Sequence, residues 1–235
     1  MNNFSKFASS DKTDQFSWNF SNYNSYKANV YHKGSILLAT LENYLGEDVF
    51  SKIMKTYATR FQFKHPLPQN FIDVVNEFSP QSMDWFFEQS LYTAAVLDYT
   101  VSRISSSQVN PPRGLDENGN LYSGTKPEEN KTYFSEIVVE RLGEFIIPVD
   151  VVITFENGET IKEVWNGQKK WKKFSYQSDA AVLKAEIDPE QKLLLDVNYS
   201  NNIKYRKRNS FPAFRWSAKW MFWLQHLLEV TMVFS

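Results

Sequence analysis

The hydrophobic period of this chain changes once, and that change decides the fold class. From Val30 to Leu91 apolar residues recur at helical spacing: Leu37, Leu41, Tyr44 and Leu45, then Phe50, Ile53, Met54 and Tyr57, then Phe71, Val74, Val75 and Phe78. Residues three and four apart share one helix face, so each group lines a stripe that must be buried. Past Leu91 the stripe stops, because Val96, Tyr99, Val101 and the Ser-rich run after them no longer keep it. Short runs at regular spacing follow at Ser135 to Leu142, Val149 to Phe155, Thr160 to Trp165, Trp171 to Tyr176, Ala181 to Ile187 and Leu193 to Asn198. Runs of that length between turn residues read as strands. Helices first and strands after predict an α+β chain: an N-terminal helical lobe, then an antiparallel β-sandwich.

The punctuation agrees. Four helices are expected between Val30 and Leu91. The first runs into Gly46, a C-terminal stop, and Glu47 with Asp48 place negative charge in the opening turn of the second. The loop from Phe63 to Pro68 separates the second helix from the third, and Ser79-Pro80 sets off a short fourth helix holding Trp85, Phe86 and Phe87. In the second half Asn157-Gly158 and Asn166-Gly167 supply the positive backbone angles of tight hairpins, and Asp188-Pro189 ends a strand. Ser105 to Asn130, with Pro111-Pro112, Asn118-Gly119 and Lys126-Pro127, reads as a long loop with room for a small hairpin. The expected units are residues 1–95, residues 96–203, and a basic linker with an amphipathic C-terminal helix over residues 204–235.

With 235 residues, 42% of them hydrophobic, the chain can bury a sizeable core. Lys plus Arg number 26 against 27 for Asp plus Glu, so no overall field draws it to nucleic acid. The absence of Cys excludes thiol nucleophiles and thiolate metal sites. Met1 to Asn29 lacks the basic start and apolar stretch of a signal peptide, so a periplasmic or membrane-associated location would need an export signal further upstream. Toward the end, Trp216, Trp220, Trp223, Leu224, Leu227 and Leu228 share one helical face opposite Arg215, Lys219, His226 and Glu229. Such a helix docks against protein or lies on a membrane surface beside the basic run Lys204 to Arg208; its charges oppose spanning.

A zinc hydrolase needs two His on one helical face with a carboxylate nearby. The three His, at 32, 65 and 226, form no His-Glu-x-x-His motif and read as helix-surface or loop residues. There is no Gly-x-Ser-x-Gly elbow and no Gly-rich phosphate loop.

The segment with sharp information is Val30-Tyr31-His32-Lys33-Gly34-Ser35-Ile36-Leu37-Leu38, followed by Leu41-Glu42-Asn43-Tyr44-Leu45-Gly46 and Phe50 through Tyr57. It resembles the Tyr-x-Lys-Gly stretch of the alanyl aminopeptidase family, the gluzincin zinc metallopeptidases that include leukotriene hydrolase. In that family the tyrosine opens a helix downstream of the zinc-binding helix and donates a hydrogen bond to the oxyanion as water attacks the scissile carbonyl. The resemblance gives that role to Tyr31. A phenol, with a reference pKa of ~10, donates at neutral pH without ionising, and one such donor is typically worth ~3 to 4 kcal/mol in the transition state.

Tyr26 coincides with a second tyrosine that lies near the site in some members, which gives it a substrate-binding role beside a packing one. Lys33 reads as a solvated helix residue, and Gly34 as a place where a neighbouring segment approaches. The likeness continues through Asp98-Tyr99-Thr100-Val101, Phe155-Glu156-Asn157-Gly158, Trp165-Asn166-Gly167 and Ile187-Asp188-Pro189 to Asp196 and Asn202. The family's zinc motif, third ligand Glu and Gly-x-Met-Glu-Asn substrate motif all lie upstream of this region and are absent. The resemblance therefore implies a C-terminal fragment of a zinc-dependent aminopeptidase, with no cofactor held by this chain, zinc and peptide substrate belonging to the intact parent, and the missing N-terminal catalytic half as partner. Alone it is expected to be inactive and to expose an apolar patch where that half was. The competing reading is a non-catalytic binding or scaffold module of the same architecture.

Overall fold

The computed structural model describes residues 3–109, 113–115, 121–123, 131–207, 216–217 and 219–227. The helical part runs α1 (Asn3–Phe7), α2 (Tyr23–Tyr26), a π-helical stretch (Lys27–His32), α3 (Lys33–Leu45), α4 (Glu47–Phe61), α5 (Pro68–Phe78) and α6 (Asp84–Leu91). α2, the π-helical stretch and α3 follow without a break, so the first long helix starts earlier than its apolar stripe. Asn22 begins it: the side-chain carbonyl accepts the Ser25 N–H at 3.0 Å. Gly46 ends it at φ 89°, a left-handed angle only glycine takes without strain. Pro68 opens α5 in the first turn, where a missing N–H costs nothing, and the Asn70 side chain accepts the Leu67 N–H at 2.8 Å. The stripes meet as expected, with Leu37, Leu41, Ile53, Val74, Val75, Phe86 and Phe87 all buried.

The strands form two antiparallel sheets. One has the order β1-β4-β7, from Tyr99–Gln108, Tyr133–Arg141 and Trp171–Ser178. The other has the order β6-β5-β8-β9, from Thr160–Trp165, Val149–Phe155, Val182–Ile187 and Ile203–Tyr205. A short hairpin of β2 (Arg113–Leu115) and β3 (Leu121–Ser123) sits inside the segment read as a loop. Alternate residues of β4 and β5 point inward, and Ile137, Val139, Val151 and Ile153 are fully buried between the sheets. The sheets are also tied at one point by Ser106, whose hydroxyl accepts the Val182 N–H at 3.1 Å and is hydrogen-bonded to the Ser135 hydroxyl at 2.7 Å.

Two readings of the sequence change. The Ser-rich run past Val101 is strand: β1 pairs with β4 through Gln108. Polar side chains are tolerated there because β1 is the edge of its sheet. Leu193 to Asn198, expected as a strand, makes only one bridge, between Leu97 and Asp196. The reason is Asp196: its buried carboxylate accepts the N–H of Tyr99 at 3.3 Å, the N–H of Asn198 at 2.9 Å and the Asn202 amide at 3.0 Å, folding the segment into turns. Burial pushes this carboxyl up to about 6 against the lowering effect of those bonds.

The helical part is clamped to the sandwich through the segment before β5. Phe86 meets Phe145 edge to face at 5.9 Å. The Gln89 side chain donates to the Ile146 carbonyl at 3.1 Å and accepts the Ile146 N–H at 2.7 Å. One residue on, the Tyr99 hydroxyl donates to the Ile147 carbonyl at 2.6 Å and accepts its N–H at 3.2 Å, and burial raises this phenol to about 12. Asn166-Gly167, expected in a tight hairpin, instead lies in the loop that crosses from β6 in one sheet to β7 in the other; Gly167, at φ 68°, lies so close that a Cβ there would be 2.4 Å from the Tyr99 oxygen.

Asp196→Ala is expected to lower stability by about 2 to 4 kcal/mol, since three donors lose one acceptor in a dry site. Urea denaturation measures it, and a loss below about 0.5 kcal/mol would remove Asp196 as the organiser of this segment. Gly167→Ala should destabilise by at least about 1 kcal/mol through both the backbone angle and the Tyr99 contact; an unchanged midpoint would contradict that packing.

Candidate functional site

The Lys33 N–H donates to the carbonyl of Ala28, five residues back, and this closes the π-helical stretch. Such closures are rare, occur mostly as single turns inside α-helices, and are frequent at functional sites. Here the extra residue stacks side chains five apart instead of four. It places the Tyr26 and Tyr31 rings edge to face at 5.9 Å and 86°.

A buried polar network holds the stretch. Asn29, fully buried, donates from its amide to the Ser25 carbonyl at 3.1 Å and to the Phe7 carbonyl at 3.3 Å. The buried Ser25 hydroxyl contacts Ser10 at 2.7 Å and donates to the Asp11 carboxylate. Asp11 also accepts the Ser21 N–H at 3.1 Å and the Ser21 hydroxyl at 3.0 Å. Burial alone would raise the Asp11 carboxyl, but the Ser25 and Ser21 bonds outweigh it and hold the group below its ordinary range. The segment before α2 is thus laced to the turn that carries the tyrosines.

Tyr31 is 61% exposed on this turn. Tyr26 is half-buried against Phe20, at 5.2 Å edge to face, and Tyr23, at 6.4 Å. A hydrogen bond with the Tyr31 phenol, then its charge, raises the Tyr26 phenol above its usual value. Tyr23 is exposed beside this group, and Phe16 and Trp18, earlier in the chain, are exposed and stack on each other at 4.6 Å. The two candidate tyrosines are therefore brought together beside exposed aromatic side chains.

Lys33 departs from the sequence reading. It is not solvated but 2% exposed, and its Nζ has no hydrogen-bond partner. The signal was present, since Lys33, Leu37 and Leu41 lie four apart and share the inward stripe. Burial lowers the ammonium to about 8. Asn29 Oδ1 and His32 Nε2, from the same two turns, are likewise buried without partners. Gly34 also differs from expectation: a Cβ there would meet nothing within 4 Å, so no described segment approaches it.

His32 lies on the π-helical stretch, His65 in the loop after α4 and His226 in the C-terminal helix, stacked on Phe222 at 6.0 Å. Among the described residues no three His, Asp or Glu gather in a group able to hold a metal ion. A cleft between the end of α3 and the sandwich, lined by Asn43, Tyr44, Pro148, Asp150, Asp188 and Lys192, draws on neither tyrosine.

Residues 8–90 match the model of the Peptidase family M1 domain. Among solved structures the chain is similar to Legionella pneumophila aminopeptidase A in complex with aspartic acid, at 9% identity and a TM-score of 0.45, over 73% of this chain. The chain spans only 18% of that protein's length. No curated protein matches it. The matched residues run from the segment just before Asp11, through the tyrosine-bearing turn, into the last turn of α6, and over this helical part the chain is similar to the Peptidase family M1 domain.

Proposed function

We propose that the chain is the downstream part of a zinc-dependent aminopeptidase, supplying Tyr31 as the oxyanion-stabilising donor and Tyr26 as its neighbour at the substrate, with the metal held by polypeptide that precedes it. The observation that carries this reading is the exposed phenol of Tyr31 on a π-helical turn inside the segment matching the Peptidase family M1 domain.

The residues here do not offer a zinc donor set. The three His stand on separate elements, and no acidic group joins any of them in a cluster among the described residues. Zinc would polarise a carbonyl and activate water from elsewhere in the assembled enzyme, and no step is assigned to it in this chain. What this chain contributes is a donor aimed outward. The Tyr31 hydroxyl donates to an oxygen on which charge develops, and the edge-to-face contact with the Tyr26 ring holds the Tyr31 ring in place. The open space beside Gly34 and the exposed aromatic side chains near Tyr31 fit a surface that another lobe completes.

The test mixes the full chain with zinc and an aminoacyl reporter, with and without the upstream half of a related enzyme. The chain alone should give no turnover, and the mixture should release reporter. Tyr31→Phe should lower kcat of the mixture by about 10²- to 10³-fold with little change in KM, and Tyr26→Phe by less than about tenfold. Chelator-sensitive turnover by the isolated chain would contradict the proposal. Failure to complement any zinc-binding half would favour the non-catalytic module.

Lys33 makes a second prediction. Its folded-state value of about 8 lies below the ordinary 10.5, so the unfolded chain binds more protons between those limits and stability rises with pH across that window. Below about pH 8 the full penalty, on the order of 3 kcal/mol, acts on the fold. Lys33→Met should raise the urea midpoint of the isolated chain at pH 7 and flatten its rise toward pH 10. A variant less stable than the parent at pH 7 would show that the ammonium has a partner in solution.

A further inference from the structure

Between Asp196 and Glu229 the sequence holds six cations, Lys204, Arg206, Lys207, Arg208, Arg215 and Lys219, and no Asp or Glu, although the whole chain has a net charge of -1. Charge of one sign has been gathered into the stretch that leads into the C-terminal helix. Arg206 is tied to Glu156 of the sandwich, and Lys207, 3.6 Å from the same carboxylate, is 74% exposed.

The helix itself is bare. Residues 216–217 and 219–227 are helical, and each of them is exposed. At 100° per residue Trp216, Trp220, Trp223, Leu224 and Leu227 fall on one face, and these five are between 57% and 70% exposed. Lys219 flanks that face, with its Nζ 5.8 Å from the centre of the Trp216 ring. No helix among the described residues is long and apolar enough to cross a membrane.

What covers this face must accept three indoles at once. Each indole has an apolar body and an N–H that needs an acceptor, and a dry protein groove would have to supply all three acceptors. The boundary between acyl chains and headgroups supplies both environments along its whole plane, and Trp is enriched there. A stretch that carries cations and no acid of its own complements an anionic headgroup layer, at about 1 kcal/mol for each Lys or Arg that reaches it, Arg206 being held back by Glu156. We infer that the C-terminal helix is a membrane-surface anchor, lying in the plane of an anionic bilayer with Trp216, Trp220 and Trp223 toward the acyl chains and Lys219 at the phosphates. One such helix with a few cations gives reversible, peripheral attachment rather than insertion.

Co-sedimentation of the full chain with vesicles tests this without any assay of catalysis. Phosphatidylcholine vesicles are compared with phosphatidylcholine–phosphatidylglycerol vesicles at low and high salt. Binding to the anionic vesicles should be at least about tenfold tighter than to the neutral ones and should weaken with salt. The double variant Trp220→Ser, Trp223→Ser should lose at least about tenfold on anionic vesicles, and Lys219→Glu should weaken binding while leaving the thermal transition unchanged. These side chains are exposed, so both variants should keep the parent's far-UV circular dichroism. No binding to either vesicle, equal binding to both, or binding untouched by the Trp variant would overturn the inference. Lipid-free self-association abolished by the same double variant would also overturn it, by assigning the face to protein.

Discussion

The backbone hydrogen bond from the Lys33 N–H to the Ala28 carbonyl sets the geometry on which the site depends. Closing the ring over five residues rotates everything after it relative to a regular helix. That rotation brings Tyr26 and Tyr31 face to edge and leaves Tyr31 outward while the stripe of Lys33, Leu37 and Leu41 that follows it turns inward. A π-turn is not self-sustaining, and the Asn29–Ser25–Asp11 network supplies what the helix lacks. Its members are buried or half-buried and span four segments of chain, from Phe7 to Asn29.

The sandwich is tied to the helical part through two successive residues. Ile146 and Ile147 are gripped in succession, one by Gln89 from α6 and the other by Tyr99 from β1. Each grip uses both the N–H and the carbonyl of one residue, so the helical part and the sheets cannot slide past one another without breaking paired bonds. Asp196 does the same work on the other side of Tyr99 by accepting its N–H. One hydrophobic cluster accordingly runs from Leu37 through Phe86 and Phe145 to Val151.

How much of this could be read from the sequence depends on whether the signal was periodic. β5 and β6 have the bounds that alternation and the Asn-Gly turns predicted, because one face of each meets the core and the other meets water. The Gly46 and Pro68 boundaries were equally legible, since each rests on the backbone chemistry of one residue. β1 escapes a sequence reading because an edge strand can be rich in serine, and Leu193 to Asn198 reads as a strand although its run of three leucines answers to one carboxylate rather than to a ladder. The juxtaposition of Tyr26 and Tyr31 is visible in the sequence only as a spacing of five, which a regular helix would have sent to different faces. Lys33 was readable in principle, yet a lysine on an apolar stripe is ordinarily explained by its stem lying on the surface. Only the burial of its Nζ distinguishes the two.

The central claim is that the phenol at position 31 stabilises charge that appears only in the transition state. Binding of a phosphinate transition-state analogue to the chain joined with a zinc-binding upstream half measures that most directly. Tyr31→Phe should weaken the analogue by about a hundredfold or more while leaving the affinity for a product-like amino acid within about threefold. Equal weakening of both, or of neither, would contradict the account.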